Sequence, residues 1–141
     1  MSLIRLTEAL GMHRLEKTVT FSNTGPDAIG LFVVTGDVIV RIIPICKGDI
    51  QAGGTPNIRL GIIGADDAMI SDTVATDLEA NEIWTDVSPD SEIEPVDSIR
   101  SYIISNGNGV ILTLDAEITS GQIVFYCFWS PLSTNGEVAL P

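Results

Sequence analysis

The chain has 141 residues, 45% hydrophobic and 18% charged, with seven lysines and arginines against nineteen aspartates and glutamates and a formal net charge of −12. That length suits one domain able to bury roughly 68% of its unfolded surface, and the apolar content excludes disorder. The acidity, the scattered basic residues and the lack of any ~20-residue apolar run argue against nucleic acid and membranes as direct partners.

Residues 1–14 read as a short N-terminal arm, with Leu3, Ile4, Leu6 and Leu10 giving either one helical turn after Thr7 or a segment that docks on a neighbour; Gly11 stops the pattern. The run Leu3–Leu10 is too short for a secretory leader and carries Arg5 and Glu8, so the expectation is a soluble protein made in the cytoplasm. Residues 15–141 are expected to form a single domain. Leu15, Lys17, Val19 and Phe21 alternate with Glu16, Thr18 and Thr20 as in a half-buried strand, which ends in the turn formers Asn23–Asp27. Two β-branched runs, Ile29–Val34 and Val38–Ile45, flank Thr35-Gly36-Asp37, a spacing that predicts a tight hairpin. Pro44 lacks a ladder donor and places the second run at an edge, a bulge or a strand end. A loop is expected over Gly48–Pro56, then a strand over Asn57–Ile63, where Gly61 and Gly64 mark a bulge or a close backbone approach.

Eleven of the nineteen carboxylates lie between Asp66 and Asp97, with no Lys or Arg among them. Apolar residues such as Ile70, Val74, Leu78, Ile83 and Trp84 thread the segment, so it should fold with its charges outward, with short strands near Thr73–Leu78 and Glu82–Asp86. Ser98–Ser105 and Val110–Asp115 flank Asn106-Gly107-Asn108-Gly109, the strongest hairpin signal in the chain. In Gln122–Trp129, both faces are apolar: the strand is central in a two-layer core, or another subunit covers one side. The tail from Ser130 to Pro141 is turn-rich and expected to run over the surface. The sum is an all-β antiparallel sandwich, jelly-roll-like by strand count, with an immunoglobulin-like or other sandwich as the alternative. The excess apolar content suggests burial between copies.

The catalytic inventory is thin. His13 is the sole histidine and lies in the arm, where a surface or interface role is expected. The chain contains no GxSxG, Walker, GxGxxG or HExxH string. Cys46 and Cys127 sit in apolar runs and read as buried free thiols, with a disulfide as the second reading. Calcium is the one metal to weigh, through Asp66, Asp67 and Asp72 or Asp90, Glu92 and Glu94, but the EF-hand pattern is absent and solvated loops are the expectation. No catalytic, cofactor or metal residue is therefore assigned.

Three strings carry a resemblance: Glu82–Pro89 (EIWTDVSP), Ile103–Thr113 (IISNGNGVILT) and Ile118–Gly136 (ITSGQIVFYCFWSPLSTNG), with Thr35–Ile42 (TGDVIVRI) a weaker fourth. They resemble small proteins encoded among the virion genes of tailed bacteriophages. The resemblance covers the chain from about Val33 onward, not the arm, and its strings are turns and strands that carry no chemistry. It implies a non-enzymatic capsid decoration or cement protein, a homotrimer on the virion surface whose partner is the major capsid protein. Interface candidates are Leu3, Ile4 and Leu6 of the arm together with Trp84, Phe128 and Trp129, the two tryptophans being expected as core or subunit-interface anchors. The alternative is a carbohydrate-binding or host-attachment module with Trp84 or Trp129 as the stacking platform; a hydrolase using paired carboxylates ranks below both.

Overall fold

A computed structural model describes residues 12–141; the arm candidates Leu3, Ile4 and Leu6 lie outside the described residues. In chain order the strands are β1 (His13–Thr24), β2 (Asp27–Thr35), β3 (Val38–Gln51), β4 (Asn57–Ile62), β5 (Ala65–Val74), β6 (Glu82–Ile83), β7 (Asp90–Ser91), β8 (Ser101–Ile104), β9 (Val110–Leu114), β10 (Ile118–Pro131) and β11 (Glu137–Ala139). Two 3-10 turns, Ala75–Asp77 and Val96–Ser98, are the only helical elements among the described residues.

The strands form an antiparallel β-sandwich. One sheet has the order β1-β10-β3-β6-β7, with β8 also pairing β3; the other has the order β11-β2-β9-β4-β5. The period-2 rule sorts side chains between core and exterior. From the first sheet Val19, Phe21, Val40, Ile42, Cys46, Ile123, Phe125 and Cys127 point inward. From the second come Phe32, Val34, Ile58, Leu60, Val110, Leu112 and Leu114. Each fully buried Leu, Ile or Phe contributes about 1.5–3 kcal/mol of transfer free energy, so these two inner faces are what hold the sheets together.

Two expected hairpins are not formed. The runs on either side of Gly36-Asp37 belong to different sheets: β2 pairs β9 and β11, while β3 pairs β10, β6 and β8. The same holds across Asn106–Gly109, since β8 joins β3 and β9 joins β2 and β4. The turns themselves are real, with positive φ at Gly36, Asn106 and Gly107. They serve as corners that carry the chain from one sheet to the other. Asp37 ties three such corners together: its carbonyl accepts from Leu132 N at 2.9 Å and Ser133 N at 3.2 Å, its N–H donates to Ser133 Oγ at 2.9 Å, and its carboxylate accepts from Asn106 N at 3.0 Å. The one long hairpin is β4–β5, which shows the register shifts that Gly61 and Gly64 suggested.

Pro44 does not end its strand. β3 runs on to Gln51, and the proline lies in its middle opposite Phe125. Its carbonyl accepts from Trp84 N at 3.0 Å. In an antiparallel strand the N–H and C=O of one residue point the same way, so the missing donor faces the interval between β8, which pairs residues 38–41, and β6, which pairs residue 45. The ladder is interrupted just where the donor is absent. The tail also departs from expectation: β10 reaches Pro131, and Glu137–Ala139 pair with β2 as an edge strand with Val138 buried. At an edge of the other sheet, β1 places Lys17 on the inward side opposite Phe125; an inward charge on an edge strand discourages strand addition there.

Candidate functional site

The acidic segment is bound into the body by one cation from outside it. Arg59 on β4 donates from Nε to Asp66 Oδ2 at 2.9 Å and from Nη1 to Asp72 Oδ1 at 3.1 Å, across the β4–β5 hairpin. The hydrogen bonds to Asp66 and Asp72 push the Arg59 pKa up. Two of the three carboxylates weighed as one calcium set are thus engaged by a guanidinium, and no group of three potential metal ligands occurs among the described residues. The contact is partly exposed and screened, which limits its worth. Arg59→Met is expected to cost about 1 kcal/mol at low ionic strength, with the loss shrinking in about 0.5 M salt, as read by urea denaturation.

Of the readings open to Trp84, the structure gives the core: the residue is 0% exposed and is neither an interface anchor nor a stacking platform. Its Nε1 donates to Thr73 Oγ1 at 2.9 Å, and that hydroxyl donates to Ser71 O at 3.0 Å. A local sequence dense in carboxylates signals exposure, but the backbone bond to Pro44 pins Trp84 to β3 and turns the ring inward, and Thr73 satisfies its one polar atom. Trp129 is partly buried on the core side at one end of β10. The ring of His13 stacks on it with centroids 4.4 Å apart, so the histidine belongs to β1 and packs against this ring. Neither tryptophan presents an open face in a polar groove.

A cleft of about 410 Å³ opens beside Trp84 between the sheets, lined in part by Met69, Asp86, Glu94, Ser98 and Tyr102. Glu94 is the carboxyl here with a displaced pKa: a hydrogen bond with Ser98 lowers it, but the neighbouring Asp90 carboxylate, burial and Asp86 outweigh that and raise it. The leading cause of the rise is a hydrogen bond between the Glu94 and Asp90 carboxyls, with burial and the charges of Asp90 and Asp86 adding to it.

Both cysteines are free and buried. Burial pushes the Cys127 thiol up from 9.0 to about 12. Burial also raises Cys46 to about 11, against a lowering by a hydrogen bond from the Gly48 backbone. Both thiols should ignore alkylating reagents at about pH 8 in the folded protein and react once it is denatured, a difference that mass spectrometry reads. Raised folded-state pKa values also fix the sign of the alkaline response. The stability linked to these thiols is fully present below pH 9.0 and is lost as pH rises through about 11 and 12.

The remaining candidate, Phe128, leads to the most distinctive surface. β10 is the central strand of three, and its outward side carries Val124, Tyr126 and Phe128. By register, Ile45, Ile43 and Arg41 of β3 flank them on one side and Thr18, Glu16 and Arg14 of β1 on the other. Ile39 and Ile103 extend the band, with Ile103 73% exposed, and Ile83 borders Ile45. Val124 and Phe128 are buried yet stand outside the inter-sheet core. The Arg14 guanidinium lies 5.3 Å from the Tyr126 ring centroid. Phe128 and Trp129 therefore lie on opposite sides of the sheet, and Trp84 is remote from this band in role as well as in burial. The isoleucines of β3 were the residues missed. Their signal was available, because Val38–Cys46 is apolar at odd and even positions alike, the same two-faced pattern that marked Gln122–Trp129.

A scan of protein-family models finds no match to this chain, and a search of curated proteins finds no significant match.

Proposed function

We propose that this protein is a non-enzymatic structural component of a tailed-phage virion, a decoration or cement protein that binds the major capsid protein and stabilises the head by bridging capsomers. The single observation that carries the reading is the apolar outward band on the six-stranded sheet, Ile39, Ile43, Ile45, Ile103, Val124, Tyr126 and Phe128. A monomeric sandwich ordinarily presents polar residues there, and a contiguous apolar band on an otherwise acidic body is what an assembling protein carries. The rigid two-sheet body suits a clamp, and binding to the assembled shell but not to its free subunits stabilises the shell by mass action. The resemblance of Glu82–Pro89, Ile103–Thr113 and Ile118–Gly136 to virion proteins supplies the setting: the capsid surface, reached after synthesis in the host cytoplasm. A homotrimer is the expected form. With Arg59 held by its own aspartates and Arg14 paired with Glu16, Lys47 and Arg100 are exposed cations among the described residues that are available to the shell.

The test is to add purified protein to heads that lack it, measure co-sedimentation, and compare the temperature at which the heads release DNA. Saturable binding with a raised release temperature is expected. Heads that neither retain the protein nor gain stability would sink the proposal.

A further inference from the structure

A second surface answers the first in chemistry. Residues 86–97 form a loop that includes β7 and carries Asp86, Asp90, Glu92, Glu94 and Asp97 without a cation. Between these acids three apolar side chains stand out in solvent: Val87 at 52%, Ile93 at 84% and Val96 at 59% exposed. The outward band of the six-stranded sheet is richer in cations. Its isoleucines and aromatics are bordered by Arg14, Arg41 and Lys47, with Glu16, which pairs with Arg14 at 3.9 Å, and Asp90 as the carboxylates on the same rungs, on a chain whose net charge is −12. Arg41 is steadied by a bond from Nε to Ser101 Oγ at 3.3 Å, which leaves its positive charge uncompensated.

We propose that a second copy of this chain covers the outward band, and that it does so head to tail: the acidic loop 86–97 of one copy, led by Ile93, seats on the Ile39–Ile43–Ile103 band of the next. Charge decides the orientation. Two outward bands meeting face to face would set Arg14 and Arg41 against their own copies, and two acidic loops meeting would oppose ten carboxylates across a desolvated contact. Band against loop buries apolar area on both sides and rims it with opposite charges. The loop joins β6 to β8, both of which pair with the same side of β3, so it stands at the edge of the very sheet whose face it would meet on a neighbour. Face-to-edge contacts of this heterologous kind close into rings when the rotation permits, which deepens the oligomeric part of the reading above while resting on none of its capsid part.

The experiment uses the full chain in the absence of any phage component. Light scattering and sedimentation would compare wild type with a band variant, Ile103→Glu, and a loop variant, Ile93→Lys. Both positions are largely exposed, so far-UV circular dichroism should show both variants folded. Wild type is expected to self-associate, and each substitution to weaken association at least roughly tenfold. Mixing is the decisive arm. The loop variant keeps an intact band and the band variant an intact loop, so an equimolar mixture should regain one sound interface and form heterodimers. A band-to-band or loop-to-loop contact gives no such rescue, and failure of the mixture to associate would overturn the proposal. So would a wild-type monomer at about 100 µM, or association that survives both substitutions but is lost on deleting residues 1–11. Failure to bind heads would leave these outcomes unchanged, which separates this contact from the capsid reading.

Discussion

Replacing Trp84 by alanine should remove about 3–5 kcal/mol of folding free energy. Small domains hold only about 5–15 kcal/mol in total, so the variant would be partly unfolded at warm temperatures. Three losses combine. The largest is the buried ring itself, fully enclosed between the sheets. The second is the hydrogen bond from Nε1, which leaves the Thr73 hydroxyl, itself 0% exposed, without one of its two partners. The third is local: Trp84 N holds the acidic segment to Pro44 of β3, and a side chain that no longer anchors the segment weakens that attachment. Urea denaturation followed by circular dichroism would show a lower midpoint with an unchanged slope, the signature of lost stability without a changed unfolded state. Trp84→Phe separates the terms, since it keeps most of the ring and drops the donor; a loss of about 1–2 kcal/mol is expected. A Trp84→Ala loss below about 1 kcal/mol would contradict the core placement and return the residue to the surface roles first weighed for it.

Strand-forming stretches were legible because alternation and β-branching are local properties. The partner of each strand was not. The pairing of β1 with β10 joins His13–Thr24 to Ile118–Pro131, and no local pattern records a contact of that separation. Asn106-Gly107 supplies the positive φ of a tight turn, yet the same backbone geometry serves a corner between two sheets as well as a hairpin within one. What decides is whether the flanking strands find better neighbours elsewhere: the four residues of β8 complete the edge of β3, while β9 fits between β2 and β4. Proline was misleading for a related reason. A missing donor is harmless in a strand interior if the ladder has a gap on that side, and the gap beside Pro44 comes from β6 and β8, which lie some forty to sixty residues further along the chain.

The candidate surface was half legible. Apolar residues at both parities of Gln122–Trp129 pointed to a strand with something on each side, and the structure gives one of those sides to the core. Trp84 stayed open between core and interface because its neighbours in sequence are polar, whereas its neighbours in space are Thr73 and the inner side of β3. The acidic segment looked cation-free for the same reason: Arg59 lies outside it in sequence and reaches Asp66 and Asp72 only after the hairpin closes.

That hairpin leads to the other large expected effect. Gly61 is a point of close approach between β4 and β5, and a Cβ built there would overlap the Ala65 carbonyl oxygen and lie 2.5 Å from the Asp66 carbonyl carbon. Both obstructing groups are backbone, so no side-chain rotation relieves the overlap. One strand must move, and both are constrained. β4 is fixed on its other side by the pairing of residues 58–62 with β9, and its Ile58 and Leu60 are core residues. β5 is held through Ile70, which is buried, and through the Arg59 contacts with Asp66 and Asp72. Gly61→Ala is therefore expected to cost about 3 kcal/mol, the upper part of the range for overpacking. Displacing Asp66 would also release Arg59, so the salt dependence expected for Arg59→Met should appear in the glycine variant as well. Gly53→Ala is the matched control, because a Cβ there meets nothing within 4 Å and the site should stay within about 0.5 kcal/mol of wild type. Amide exchange would locate the damage: faster exchange confined to β4 and β5 fits a hairpin forced open, whereas uniform acceleration across both sheets would mean that the hairpin and the core unfold as one unit. Equal stability of the Gly61 and Gly53 variants would show that the two strands part freely, and the bulge would then carry no packing constraint at all.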